Sequence, residues 1–357
     1  RWYRRVLQLD VRNEHHVKAI HPRVDGAVEL LIDAPDQPTQ RVFARRVVLA
    51  TGRDGLGGAS VPDFARRLPR RWWAHSSDEM DYGALAGKRV GVIGAGASAM
   101  DSAATALEAG AASVDMLIRR ADLPRVNKGK GAGSPGLVHG HLYLPDAWKW
   151  RIRHYINVEQ VPPPRGSTLR VSRHPNARFN FGCGILGVDE HDGVLHVATT
   201  KGVFQLDFLI FSTGFRTDWA ARPEFSALAP HIRQWRDRYT PRPDEEDAEL
   251  ADSPDLGHAF EFREKTPGTL PGLSRVHCFC YPASVTHGSV SGDIPAISEG
   301  AKRLAQGIAG LLYQEDIDAH YAAIQAYAEP EIFGDEWTPA PPPGVEANAT
   351  SSQEAAR

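Results

Sequence analysis

The stretch from Lys88 to Asp101 constrains the fold more than any other part of the chain. It begins with a run, Lys88 to Ile93, that is typical of a buried parallel strand. A turn with two glycines follows, and Ala99 to Leu107 then predict a small-residue helix that ends at Gly110. Strand, glycine turn and helix in this order are typical of a dinucleotide-binding element.

Each position of the turn has a physical role in such an element. The first glycine, Gly94, permits the tight turn, and the second, Gly96, lets a pyrophosphate approach the backbone. Ala99 lets helix and strand pack closely, and the helix N-terminus offers free N–H groups to phosphate. The predicted cofactor-binding residues here are Gly94, Ala95, Gly96, Ala97, Ser98 and Ala99. The alternative is a Gly/Ala-rich turn without a ligand, and the features below favour the nucleotide.

A pair of arginines indicates which dinucleotide would bind. The next predicted strand, Ser113 to Ile118, ends at Arg119 and Arg120, where an NAD site carries an acidic residue for the ribose. Guanidinium groups suit a phosphate, because they offer forked donors and a permanent charge. The sequence therefore favours NADPH over NADH, with a solvated arginine pair at a strand exit as the alternative.

Two predicted strands end in the same small residues. A β-meander is predicted from Val17–Ile20, Val28–Ile32 and Arg41–Ala50, and its last strand leads into Thr51-Gly52. A second buried strand, 207–211, leads into Ser212-Thr213-Gly214. A cofactor can come close to such endings, which otherwise are plain strand-to-loop exits.

Two further segments are candidates for cofactor contact. His75 could touch a cofactor, although a packing histidine is the more frequent case. Gly292, Asp293 and Ile294 precede a predicted helix with apolar residues at helical spacing from Ile297 to Leu311. The N-terminus of that helix could direct N–H groups at an electron-rich ring or a pyrophosphate.

The remaining segments give structural expectations. The tryptophans near residue 150 favour an amphipathic helix packed on the core, and Val194–Val197 with Val203–Leu206 predict a hairpin. The acidic run Asp244–Glu249 is expected to be solvated surface, and the tail from Trp337 is expected to be disordered.

Composition excludes several classes of protein. The chain has 357 residues with 41 Lys and Arg against 44 Asp and Glu, so its net charge of −3 favours neither nucleic acid nor a membrane surface. No apolar run reaches membrane-spanning length. The three cysteines form no disulfide framework, which suits a reducing cytoplasm, and no metal site is predicted.

In this order and spacing, the motifs resemble the NADPH-dependent flavoprotein monooxygenases. This group comprises flavin-containing, Baeyer–Villiger and N-hydroxylating monooxygenases. The resemblance covers most of residues 40–310, through Ala50-Thr51-Gly52, the Gly94–Ala99 turn, Arg119, Ser212–Phe215 and Gly292-Asp293. No redox CxxC or CxxxxC is present, and a disulfide reductase of the same architecture is therefore disfavoured.

The resemblance implies an α/β flavoprotein with two dinucleotide-binding domains. A Rossmann-like NADPH domain, residues 81–215, would be inserted in an FAD domain formed by 1–80 and 216–335, and 336–357 would be a disordered tail. The family's GxGxxG for FAD has no counterpart before Ala50, so the FAD domain would be truncated. Either the chain is a fragment or its FAD binding is impaired, and because the chain starts at Arg1 rather than Met, we expect a fragment. A partial match around His75, with Pro69 and Arg71 in place of Phe and Gly, leaves the branch open.

The function implied is FAD- and NADPH-dependent oxygenation of a small organic substrate with O₂. In this family the oxygenating species is a C4a-(hydro)peroxyflavin, so no acid/base pair is named and the catalytic residues stay unknown. Two alternatives remain open: an NADPH reductase or oxidase that does not oxygenate, and a non-catalytic NADPH-binding module without FAD. A homo-oligomer is also left open.

Overall fold

The structure of the protein, a computed structural model, describes residues 2–292 and 294–344. The strands are β1 His16–Pro22, β2 Val28–Asp33, β3 Gln40–Ala44, β4 Val47–Leu49, β5 Gly57–Ala59, β6 Trp73–His75, β7 Arg89–Ile93, β8 Ser113–Ile118, β9 Ala177–Phe181, β10 Ile185–His191, β11 Val194–Thr199, β12 Gly202–Leu206, β13 Phe208–Phe211, β14 Phe215–Thr217 and β15 Val276–Cys278. The helices are α1 Trp2–Val6, α2 Asp63–Arg66, α3 Ala97–Glu108, α4 Lys128–Gly131, α5 Pro135–Gly140, α6 Asp146–Glu159, α7 Arg165–Ser172, α8 Trp235–Arg238, α9 Ala248–Asp252, α10 Ser284–His287, α11 Ile297–Glu315 and α12 Ile317–Ala326.

A five-stranded parallel sheet, in the order β6-β13-β7-β8-β9, is the central element. Apart from Asp115 of β8, the side chains of its middle strands are mostly apolar on both faces, as in a sheet covered on both sides, and Val90, Val92 and Val114 are fully buried. Helix α3 packs on the sheet through small buried residues such as Ala99 and Ala103. The predicted strand, glycine turn and helix are thereby confirmed.

The predicted β-meander is present as the antiparallel sheet β1-β2-β3, but its last strand is shorter than expected. The expected strand Arg41–Ala50 is divided into β3 and β4, and β4 leaves the meander to pair in parallel with β15. The prediction of one continuous strand over residues 41–50 was therefore wrong. The partner strand begins 229 residues after the first residue of β4, at Val276 against Val47, so local sequence could not reveal the division.

Other expectations have mixed outcomes. The predicted hairpin is confirmed as β11 and β12, with β10 as a third strand. The predicted amphipathic helix is confirmed as α6, in which Trp150 is 1% exposed. The acidic run is not simply solvated, because Glu245 is buried and its carboxylate accepts from Arg151 at 2.8 Å.

The chain divides into two compact units, Arg1–Ile308 and Ala309–Arg357. In the second unit the rings of Tyr313 and His320 stack with centroids 4.4 Å apart. Part of the predicted tail, residues 345–357, lies outside the described residues. Within the described ranges, no helix is both long enough and apolar enough to cross a membrane.

The five-stranded sheet takes β6 from the segment before residue 81 and its other four strands from 81–215. The predicted domain boundaries stay predictions.

Candidate functional site

One edge of the parallel sheet gathers most of the predicted cofactor residues. The strands β6, β7, β8 and β13 all run in the same direction, so their carboxyl ends lie at one edge. From β7 the chain proceeds through β8 to β9 on one side, and β13 lies on the other side. The crevice where the strand order reverses is the usual ligand site of an open α/β sheet.

The glycine turn after β7 is held tightly against this edge. Gly94 has φ +130°, and its N–H donates to the carbonyl of Leu117 at 3.3 Å. A Cβ at this position would lie 2.5 Å from the carbonyl oxygen of Ser212, at the end of β13. Only glycine can occupy this position without moving the backbone, and the turn therefore fixes where helix α3 begins.

The start of α3 is open to a ligand. Its N-cap residue, Gly96, provides no side-chain cap, and in the described ranges the N–H groups of Ala97, Ser98 and Ala99 have no hydrogen-bond partner. Gly96, Ala97 and Ser98 are exposed, and nothing lies within 4 Å of a Cβ built on Gly96. Free N–H groups at an open helix N-terminus fit a phosphate.

The two arginines after β8 are in different situations. The guanidinium of Arg120 donates to the backbone carbonyl of Val158 at 2.7 Å. Arg119 is exposed and makes no hydrogen bond or ion pair with any described residue. Of the predicted pair, Arg119 is thus the one whose donors remain available for a 2′-phosphate.

His75 and Thr213 are held by protein groups. His75 is 1% exposed, its Nδ1 lies 2.7 Å from Oγ of Ser77, and its ring packs edge-on against Phe215. Burial lowers the pKa of His75, which favours the neutral ring. The hydroxyl of Thr213 donates to the carbonyl of Ser60. Contact of either residue, or of Gly214, with a cofactor stays a prediction.

A second group of predicted residues lies around Tyr281. The N–H of Tyr281 donates to the carbonyl of Gly52 at 3.3 Å. A Cβ on Gly292 would lie 2.9 Å from Cδ2 of the same tyrosine. Thr51 and Gly52 are exposed, so a cofactor can reach this strand ending.

The other two predicted residues of the segment 292–294 have no described contact with Tyr281. Ile294 is 87% exposed, and Asp293 lies outside the described residues.

The two Thr-Gly endings are joined by a small antiparallel ribbon formed by β5 and β14. Next to the ribbon, the N–H of Ser60 donates to the carbonyl of Gly214 at 2.8 Å, and Arg222 donates to the carbonyl of Gly57 at 2.7 Å. The chain segments that leave and re-enter the sheet region therefore cross at one place, between the two groups of candidate residues.

Charged and aromatic residues at this crossing were not predicted from the sequence. The guanidinium carbon of Arg53 lies 3.2 Å from the ring centroid of Tyr281, and Arg153 donates to the tyrosine hydroxyl at 3.3 Å. Glu249 lines the same cleft. The sequence marked Arg53 only through its position immediately after Thr51-Gly52. It did not mark Glu249, which belongs to the acidic run that was expected to be solvated surface.

Comparisons with known proteins give a consistent result. The sequence model of the family described as L-lysine 6-monooxygenase/L-ornithine 5-monooxygenase matches residues 1–133. A FAD-dependent urate hydroxylase from Xanthomonas campestris pv. campestris is 36% identical over 335 residues, which cover 94% of this chain and 70% of that protein.

Solved structures share the fold at lower identity. Ornithine hydroxylase from Pseudomonas aeruginosa superposes with a TM-score of 0.63 at 18% identity, covering 88% of this chain and 74% of that one. Ornithine N-hydroxylase from Kutzneria sp. 744, solved with reduced FAD, NADP⁺ and L-ornithine, gives 0.63 at 17% identity, covering 86% and 74%. L-lysine 6-monooxygenase from Pseudomonas syringae gives 0.63 at 16%, covering 88% and 74%. These likenesses confirm the predicted α/β fold with two dinucleotide-binding domains.

Proposed function

Because the chain belongs to the FAD-dependent flavoprotein monooxygenase family, we propose that it catalyses NADPH- and FAD-dependent oxygenation of a small organic molecule by O₂. The observation that carries the proposal is the open N-terminus of α3, with free N–H groups beside the exposed Arg119 at the edge of the sheet. This arrangement matches a dinucleotide that carries a 2′-phosphate.

Two parts of the chain would hold the two cofactors. Gly94 to Ala99 would bind the pyrophosphate of NADPH, and Arg119 would bind its 2′-phosphate. Thr51, Gly52 and Gly292 would contact FAD, since they lie together around Tyr281 and leave the strand ending accessible. When bound, NADPH supplies reducing equivalents and FAD supplies the chemistry that activates O₂.

The residues of the chain supply positioning and exclusion of water. The paired strands β7 and β13 lie below the nucleotide crevice, and the ribbon of β5 and β14 connects this region to the group of residues around Tyr281. His75 is buried beneath the crossing as a neutral ring, so it adds no charge there at neutral pH. We propose no acid/base residue.

The experiment is a turnover assay on the full chain supplied with FAD. NADPH and NADH oxidation, oxygen uptake and H₂O₂ release are followed with urate and with L-ornithine as substrates. The 36% identity to a urate hydroxylase makes urate the first compound to test. We expect NADPH to be preferred, and one of the substrates to lower the H₂O₂ released per NADPH consumed.

Two outcomes would contradict the proposal. Stoichiometric H₂O₂ with every substrate would indicate an oxidase rather than a monooxygenase. Absence of flavin binding with retained NADPH binding would indicate a nucleotide-binding module. We further propose a cytoplasmic location, from the three cysteines, which are all free and buried, and no role in binding nucleic acid.

A further inference from the structure

The second compact unit carries an apolar surface that no described residue covers. Helix α12 has no buried residue, and a helix of ten residues is marginal in water without packing. A groove of about 380 Å³ lies on this surface, lined by Tyr313, His320, Ala323, Ile324 and Tyr327. Eight large apolar side chains of the unit are exposed by 46% to 78%, namely Tyr313, Ile317, Tyr321, Ile324, Tyr327, Ile332, Phe333 and Trp337. Exposed apolar side chains grouped in this way are typical of an interaction surface, which we call the C-terminal face.

The C-terminal face is also acidic. Residues 309–344 contain no Lys or Arg and seven acidic residues, namely Glu315, Asp316, Asp318, Glu329, Glu331, Asp335 and Glu336. Within the described ranges, the carboxylates of Asp318, Glu331 and Asp335 make no hydrogen bond or ion pair. Two such faces would repel each other, because like charges at an interface are unfavourable. The fitting partner is therefore a segment that combines apolar side chains with cations.

Residues 2–12, which we call the N-terminal segment, have this combination. Helix α1 has no buried residue, and the apolar side chains of the segment are exposed by 42% to 69%. They are Trp2, Tyr3, Val6, Leu7, Leu9 and Val11. The charged residues of the segment are three arginines and one aspartate, so its net charge is +2.

Two of these arginines are available for a partner. Arg12 pairs with Asp10 at 3.2 Å. Arg4 and Arg5 make no hydrogen bond or ion pair with any residue that the structure describes. The N-terminal segment therefore offers two free cations beside exposed apolar side chains, and the C-terminal face offers free carboxylates beside the same kind of surface.

We infer that the N-terminal segment of one copy of this chain docks on the C-terminal face of a second copy. Its apolar side chains fill the groove around Tyr313 and Ile324, and Arg4 and Arg5 lie against the carboxylates. Both surfaces are exposed in the single chain, so a second copy supplies the partner that each lacks. If two copies exchange segments, the dimer contains two identical contacts and the assembly closes.

The oligomeric state of the full chain tests this inference. Sedimentation equilibrium over a range of protein concentrations should find a dimer, and its Kd should rise several-fold at high salt, because exposed charges are screened. Variant N carries Arg4→Glu and Arg5→Glu, and variant C carries Asp318→Arg and Glu331→Arg. Each variant alone places like charges together, so the Kd of its dimer should rise by about tenfold or more.

A mixture of the two variants identifies the surfaces that pair. The acidic segment of variant N then meets the basic face of variant C, and the unchanged segment of variant C meets the unchanged face of variant N. Both contacts are complementary again, so the mixed dimer should form with a Kd within about threefold of the parent.

A matched control carries Arg66→Glu and Arg67→Glu. It makes the same change in net charge as variant N, at two exposed arginines at the end of α2. Its dimer should keep a Kd within about twofold of the parent. Thermal unfolding of every variant shows whether the fold is retained.

Three results would overturn the inference. The first is a parent chain that stays monomeric at every concentration up to about 100 µM. Docking of the segment within its own chain would give this result, together with a lower unfolding temperature of variants N and C. The others are a dimer whose Kd is unchanged in both variants, and a mixture that associates no more tightly than either variant alone. None of the substituted residues belongs to the proposed nucleotide sites, so NADPH oxidation tests the proposed function separately.

Discussion

Two alanine substitutions, at glycines two residues apart in the turn after β7, should have opposite consequences, and together they test how the nucleotide site is built. Gly94 and Gly96 are both glycines of one turn, but they lie in different surroundings. Gly94 has φ +130°, and an added Cβ would lie 2.5 Å from the carbonyl oxygen of Ser212. Gly96 has φ −80°, and its added Cβ would meet open space.

The expected magnitudes follow from these surroundings. In Gly94→Ala, strain in the left-handed region costs about 1–3 kcal/mol, and the backbone contact with the end of β13 adds to it. We expect the free energy of unfolding to fall by at least about 2 kcal/mol. In Gly96→Ala only the helix N-cap preference is lost, at a cost below about 1 kcal/mol.

The two variants should separate again in nucleotide binding. The methyl group of Gly96→Ala would occupy the approach of the pyrophosphate, so Kd for NADPH should rise by about tenfold or more, equivalent to about 1.4 kcal/mol. Urea denaturation followed by tryptophan fluorescence measures the stabilities, and calorimetry measures Kd. The reasoning is refuted if Gly94→Ala is as stable as the parent, or if Gly96→Ala binds NADPH normally.

Two more predictions concern charge. Arg119→Met should weaken the binding of NADPH about tenfold without changing the binding of NADH. Arg120→Met should change the binding of neither nucleotide, because its guanidinium donates to a backbone carbonyl. Equal weakening of the binding of both nucleotides in Arg119→Met would contradict this prediction. Burial lowers the pKa of His141 to about 4 and of His287 to about 3. As pH falls below 6.5, these histidines therefore take up protons in the unfolded chain but not in the folded one, and the free energy of unfolding falls. Urea denaturation at pH 7.5 and pH 5 should show that each of these two histidines contributes a loss of about 2 kcal/mol, and His287→Gln should reduce the pH dependence by about that amount.

The nucleotide element could be predicted from the sequence because its determinants are local. Strand, turn and helix lie within the residues from Lys88 to Glu108. The contact of Gly94 with the carbonyl of Ser212, at the end of β13, is the exception, because it joins distant parts of the chain. Arg119 could be predicted for the same reason, since it follows directly from the end of β8. The sequence could not distinguish Arg119 from Arg120. The difference is the hydrogen bond of Arg120 to the carbonyl of Val158, which lies 38 residues further along the chain.

Long-range partners explain what the sequence did not show. The acidic run gave no sign that Glu245 is buried, because its partner Arg151 lies on α6, 94 residues earlier. The same applies to β4, whose hydrogen-bond partners belong to β15. In both cases the local pattern was compatible with surface or with a continuous strand, and a distant segment decided between them.

Gly57, in the glycine-rich segment after Thr51-Gly52, is a third position at which a distant segment decides the local structure. Gly57 begins strand β5, and a Cβ there would clash with the carbonyl oxygen of Arg216. Gly57 therefore allows close approach of two backbones. That approach brings Arg53 and Phe215 to the walls of one cleft. Gly57 thus determines how closely the two linkers cross, next to the proposed nucleotide sites that they connect.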